Sequence, residues 1–176
     1  MILGLDISTS ITGATIVDKE NNVILNTAFD LRNKNHFPTL FSKVEHIKEM
    51  LDDLYIKYHF KHIYIEQSLQ AFRPGFSSAK TLLLLAKFNG IVSWVCHHQF
   101  GITPQYLAAI SARKTYGITV PRGTKAKKVV LQYVLDNEEG FVVEYTKNGN
   151  PKPDSYDRAD SLVMAKAGYI LWKEKN

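Results

Sequence analysis

Apolar and polar positions divide the chain into strands first and helices later. Ile2-Leu3-Gly4-Leu5 is a short apolar run closed by Asp6, followed by a β-branched stretch from Thr12 to Asp18 and a third extended stretch from Val23 to Leu31. The polar turn Lys19-Glu20-Asn21-Asn22 separates the second from the third, so the three predict an antiparallel meander. From Leu40 the period changes. Leu40, Val44, Ile47, Leu51, Leu54 and Tyr58 recur at steps of four and three, the stripe of an amphipathic helix that begins near Pro38 and lies on one face of the sheet. His62 to Glu66 reads as a buried strand. Ser77 to His98 reads as a helix apolar nearly all round, through Leu82, Leu83, Leu84, Leu85, Phe88, Ile91, Trp94 and Val95. Such a helix needs cover on more than one side, either from its own core or from a second copy of the chain.

Gln105 to Ile110 predicts a fifth strand and Thr124 to Asn137 a further helix. Ser155 to Trp172 predicts a last helix with Ala159, Leu162, Val163, Ala167 and Ile170 inward. Before it, Asn148-Gly149 with Pro151 and Pro153 predicts a turn-rich loop or small hairpin. A meander followed by strands alternating with helices predicts an α/β fold: a mixed five-stranded sheet, antiparallel meander plus parallel strands, flanked by helices.

Composition narrows this picture in three ways. With 176 residues, 45% of them hydrophobic, and no Pro/Gly/Ser-rich linker, the chain is expected to form one domain over residues 1–176. The net charge of +5 favours an anionic partner but specifies no chemistry. Cys96 is the only cysteine, which excludes an intrachain disulfide and a multi-cysteine zinc cage. The apolar run Leu82 to Val95 is broken by Lys87 and Asn89 and reads as too short to span a bilayer, and the N-terminus lacks a signal-peptide layout. A soluble intracellular protein with no membrane partner is therefore expected.

The chemistry-bearing feature is a set of acids. Asp6 ends the apolar run Ile2 to Leu5, and Glu66 ends Ile63-Tyr64-Ile65 in the same way. An ionised carboxylate at the end of a buried strand is expensive unless a cation or donors meet it, and two strands so ended could run side by side with both acids at one edge. Asp157 and Asp160 stand three apart at the start of the last helix, so they share a face and are favoured by the helix dipole. Each acid taken alone is as consistent with a turn or cap as with a site. The four together make a hard-oxygen set suited to Mg²⁺ or Mn²⁺, and two such ions about 4 Å apart stabilise the attacking and leaving oxygens of a phosphodiester. The expected chemistry is hydrolysis by water, with catalytic and metal-holding residues Asp6, Glu66, Asp157 and Asp160.

In order and spacing, Ile2-Leu3-Gly4-Leu5-Asp6 through Thr12-Gly13, Ile65-Glu66-Gln67 and Asp157-Arg158-Ala159-Asp160-Ser161-Leu162 together resemble the RuvC family of Holliday junction resolvases. The resemblance implies an RNase H-like fold and a homodimer on a four-way DNA junction, nicking it in strands of like polarity during recombination or repair. It also implies a cytoplasmic setting in a bacterial or phage-infected cell. Family members often carry Pro-Gly after the first acid where Ile7-Ser8 stands here, which suggests a divergent member of phage or viral type. The family also places a basic residue beside the metals, and Gly123-Thr124-Lys125-Ala126-Lys127-Lys128 occupies that place, with Lys127 the first choice. Lysines in a first helical turn oppose the dipole, a conflict that a bound phosphate removes.

For DNA contact, Phe72 and Arg73, with Phe76, form an aromatic and cationic loop after Glu66 that could stack on unpaired bases. Arg113, Lys114, Arg122, Lys125 and Lys128, with Lys147 and Lys152, could meet phosphates. Such residues are as often loop anchors and ordinary surface charge. The His97-His98 pair does not form a metal site, because adjacent helical residues point about 100° apart, and is assigned to the helix C-terminus. Three alternatives stand beside the resolvase reading: another RNase H-like nuclease acting on RNA or other branched DNA, a non-catalytic junction-binding module, and an actin-like ATPase suggested by Asp6 to Gly13. The last needs a second phosphate loop that the sequence lacks.

Overall fold

The computed structural model describes residues 1–67 and 78–175. Phe72, Arg73 and Phe76 lie outside the described residues. The expected meander is present as β1 (Ile2–Asp6), β2 (Ile11–Val17) and β3 (Val23–Asp30). Helix α1 (Leu40–Tyr58) is capped by Thr39, whose hydroxyl accepts from the Ser42 amide while the Ser42 hydroxyl accepts from the Thr39 amide. Then come β4 (His62–Glu66), α2 (Ala79–Phe100), β5 (Gln105–Leu107), α3 (Ala109–Thr115), α4 (Ala126–Asn137) and α5 (Asp154–Lys173). The sheet order is β3-β2-β1-β4-β5, with β1 antiparallel to β2 and β4 parallel to both β1 and β5. The mixed five-stranded architecture read from the sequence is the one observed.

Two segments differ from expectation. The strand predicted over 105–110 stops at Leu107, and residues 109–115 turn into the short helix α3. Ala109, Ala112, Arg113 and Lys114 are good helix formers, and their propensity prevails over a strand pattern only six residues long. The apolar run expected to be too short for a bilayer belongs to α2, 22 residues long and apolar enough by length and composition to cross one. Its buried side chains, among them Phe88, Val92, Val95 and Cys96, instead pack into the core beneath the sheet. Leu83 and Trp94 remain 63% and 60% exposed. His97 and His98 stand in its last turn, where a cation suits the helix dipole, and the His98 ring stacks on Trp94. The hairpin expected before the last helix is present as a Tyr145–Pro151 bridge with Gly149 in the left-handed region.

Side-chain alternation along the two central strands decides which face receives the acids. Leu3 and Leu5 of β1 and Ile63 and Ile65 of β4 point into the core formed with α1 and α2. Ile2 and Tyr64 point the other way, toward Ala165 and Tyr169 of α5. Asp6 and Glu66 are in phase with Ile2 and Tyr64, so both acids face α5 by register. Helix α5 reaches them because two strand positions lack a side chain. A Cβ on Gly4 would lie 2.3 Å from the Ala165 amide nitrogen, and a Cβ on Gly13 would lie 2.0 Å from the Asp157 carbonyl oxygen. Gly13 is the cross-strand partner of Asp6. The glycine that admits the backbone of Asp157 therefore sets it beside Asp6. A buried Thr15–Ser161 hydroxyl pair (2.8 Å) and the Asn26 amide, which donates to the Arg158 carbonyl (2.9 Å), hold the same turns of α5 on β2 and β3.

Candidate active site

The carboxyl ends of β1 and β4, the first turns of α5 and the start of α4 meet at one end of the sheet. Asp6, Ile7, Ser8, Glu66, Gln67, Lys127 and Asp157 line a common cleft that α2 closes with Leu82, Leu85 and Asn89. The Lys127 ammonium stands 3.3 Å from Asp157 Oδ1 and 3.7 Å from Asp160 Oδ2. The Arg113 guanidinium reaches Asp160 Oδ1 at 3.8 Å from the other side. Lysine in the first turn of α4 thus has a local counterion: its charge opposes the α4 dipole but faces the carboxylates at the start of α5.

Electrostatics here are one-sided. Among the described residues four carboxylates, of Asp6, Glu66, Asp157 and Asp160, face one ammonium and one guanidinium, so negative charge is in excess by two when all six groups are ionised. Burial first, and then the charges of Glu66 and Asp160, hold the Asp6 carboxyl well above the usual carboxylate range. Burial and the Asp160 charge push Glu66 up to about 7, against the pull of Arg113 and Lys127. Burial raises Asp157 and Asp160 as well, and Lys127 opposes the rise in both. For Lys127 burial acts downward, but Asp157, Asp160 and Asp6 together outweigh it and hold the ammonium form. Folding has assembled charges that repel one another, which marks sites built for something other than stability.

Among the described residues no three His, Cys, Asp or Glu side chains stand at ligand distance from one common point. The chemistry of the donor set nevertheless fits a hard divalent cation: carboxylate oxygens only, no thiol or imidazole, and an uncompensated charge of the right sign. Asp6, Glu66, Asp157 and Asp160 are the residues that would hold it. Lys127, whose side chain is 57% exposed, can swing outward to make room.

Of the residues expected to contact phosphates, Arg113 is brought into the site itself, mostly buried against Asp160. Lys114, Arg122, Lys125 and Lys128 are exposed around α3 and the start of α4. Lys147 is exposed on the hairpin, and Lys152 pairs with Glu144 there. Arg113 as a direct partner of an acid is not legible in the sequence, because the strand expected there ends at Ile110 and no element is expected over residues 111–115. In the sequence Asn89 is only a break in an apolar run, yet its side-chain amide donates to the Glu66 carbonyl at 3.1 Å.

No family model matches the sequence and no curated protein matches it. Solved structures do. RuvC of Thermus thermophilus in complex with a Holliday junction substrate aligns over 98% of this chain and 94% of its own, at 13% identity and a TM-score of 0.68. The Thermus thermophilus RuvC structure aligns over 99% and 96%, at 14% identity and 0.64. The yeast mitochondrial Holliday junction resolvase Ydc2 aligns over 99% and 79%, at 15% identity and 0.62. At these identities the likeness speaks to architecture: the chain is RuvC-like in fold, a mixed five-stranded sheet flanked by helices.

Proposed function

We propose that this chain is a divalent-metal-dependent endonuclease that nicks four-way DNA junctions, acting as one domain per subunit of a homodimer on DNA inside the cell. The observation that carries the reading is the set of four carboxylates, on β1, β4 and α5, gathered at one end of the sheet with, among the described residues, two cations paired to them. A RuvC-like fold bound to a junction in another protein supports the choice of substrate.

In this reading Asp6, Glu66, Asp157 and Asp160 hold two Mg²⁺ ions, for which Mn²⁺ can substitute. Such ions supply a deprotonated water and offset charge on a departing 3′ oxygen. The chain's own groups do the rest. Lys127, presented by the first turn of α4, turns its ammonium from Asp157 and Asp160 to the scissile phosphate. Arg113 stays on Asp160 and keeps that carboxylate ionised and oriented. Arg122, Lys125 and Lys128, exposed at and just before the start of α4, and Lys114 on α3 meet the phosphate backbone, with Phe72 and Arg73 on the junction bases. The exposed Leu83 and Trp94 of α2, with Phe41 of α1, form the dimer contact.

The test is cleavage of a synthetic four-way junction beside duplex, flap and RNA:DNA hybrid substrates. Selective cutting of the junction is the expected result; preference for a flap or hybrid reassigns the substrate, and binding without cutting makes the chain a junction-binding module.

A further inference from the structure

Asp6, the last residue of β1, is paired with Gly13 of β2, and Asp157 and Asp160 ride on a helix seated against Gly4 and Gly13. Glu66 has a further tie, from a helix side chain to its backbone. It is the last residue of β4, and the β1–β4 ladder ends one residue earlier, at the Leu5–Ile65 pair. On the other side it is held through β5, where the Gln67 amide donates to the Leu107 carbonyl at 2.8 Å. Beyond the ladder toward β1, the side chain of Asn89 of α2 donates to the Glu66 carbonyl at 3.1 Å.

We propose that Asn89 is a positioning residue for Glu66, tying the end of β4 to α2 so that the carboxylate is held where an ion can use it. The inference rests on the reading of Glu66 as an ion-holding acid. Asn89 is 5% exposed, on the buried face of α2 with Phe88, Val92, Val95 and Cys96. A buried amide in apolar surroundings is destabilising unless its hydrogen bonds are made. The orientation of the amide follows from its neighbours: a carbonyl can only accept, so Nδ2–H faces Glu66, while Oδ1 lies 3.3 Å from the Ser93 hydroxyl. The Ser93 hydroxyl also donates to the Asn89 carbonyl at 2.7 Å. Leucine would fill the same volume without the polar group, so packing alone does not account for asparagine here. The amide also lies on the wall of the cleft that contains Asp6, Glu66, Lys127 and Asp157.

The experiment compares Asn89→Leu and Asn89→Ser with Ser93→Ala and the wild type. Leucine keeps the volume and removes the donor; serine is too short to reach Glu66 and can satisfy itself on the carbonyl one turn back. Ser93→Ala loosens the same turn of α2 but leaves the Asn89–Glu66 bond in place. Mn²⁺ binding is read from the electron paramagnetic resonance of the free ion, and metal-free hydrogen exchange is read on a peptide spanning the end of β4. Both Asn89 variants are expected to bind Mn²⁺ about tenfold more weakly and to exchange faster at residues 66–67, with Ser93→Ala near wild type. Wild-type Mn²⁺ affinity and exchange in the Asn89 variants, or an equal loss in Ser93→Ala, overturn the proposal. Should Asn89→Leu not fold, Asn89→Ser decides. If the wild type takes up no Mn²⁺, the ion-holding reading fails on its own, and exchange at residues 66–67 alone then supports or overturns the tether.

Discussion

Helix α5 carries two clusters of charge, and they are built on opposite principles. Midway along it, Lys166 is almost fully buried and pairs one-to-one with Glu138 at 2.8 Å. Lys166 also donates to the Asn21 carbonyl at 2.8 Å, and the Tyr116 hydroxyl donates to the same Glu138 carboxylate, with the result that burial and that carboxylate together raise the phenol's pKa. Each charge there is matched and hydrogen-bonded, as a structural ion pair must be. In the first turns of the same helix, Asp157 and Asp160 join Asp6 and Glu66, and among the described residues Lys127 and Arg113 are the cations paired to them. Balance serves the fold, and imbalance leaves room for a charged ligand. Burial alone does not separate the two clusters; the count of partners does.

The largest expected effect breaks the unbalanced cluster. Asp6→Asn and Asp160→Asn should each lower junction cleavage by about 10³-fold or more while junction affinity stays within a few fold, because ion ligation is lost and phosphate contacts remain. Gel-shift and cleavage assays on the same protein samples check this; a variant cutting at the wild-type rate removes that acid from the site. Breaking the balanced cluster should do the reverse. Lys166→Met leaves the Glu138 carboxylate buried without its cation and should destabilise the fold by about 3–5 kcal/mol in denaturant titration. In metal-free buffer Asp160→Asn should instead raise the melting temperature, since it relieves repulsion. A fall of similar size in both variants would erase the distinction between the clusters.

A pH experiment sharpens the same contrast. A carboxyl whose pKa is higher in the folded than in the unfolded state carries no penalty below its unfolded value and the full penalty above its folded one. For Glu66 those values are 4.5 and about 7. Metal-free stability should therefore fall as pH rises through that window, by about 3 kcal/mol from this group. Glu66→Gln should flatten the slope between pH 4.5 and 7, and so should saturating Mg²⁺ in the wild type. A slope unchanged by both would assign the pH dependence elsewhere. The smallest expected effect concerns Lys127. Lys127→Ala should slow cleavage about tenfold and weaken binding less, as read by single-turnover kinetics; an unchanged rate moves the role to Lys125 or Lys128.

The acids were legible because each interrupts a pattern. A charge closing a short apolar run, twice, is visible in one dimension, and the i, i+3 spacing of Asp157 and Asp160 fixes a shared helical face. Alternation along β1 and β4 then brings the two pairs onto one side of the sheet. What the sequence hid was short or distant. Helix α3 spans only seven residues, too few for a periodic signal, and with it went the placement of Arg113 against Asp160. The steric demand at Gly4 and Gly13 comes from a helix some 150 residues downstream and leaves no local trace. Asn89 looked like a flaw in an apolar helix, although it is a hydrogen-bond donor aimed at the end of β4.

The most direct test of the central claim is Mg²⁺-dependent cleavage of a synthetic four-way junction by the wild type and Asp6→Asn, with nick positions mapped on every strand. Paired, symmetric nicks by the wild type, absent with chelator and absent from the variant, are the predicted result. Cleavage that persists in chelator or in Asp6→Asn would contradict the account.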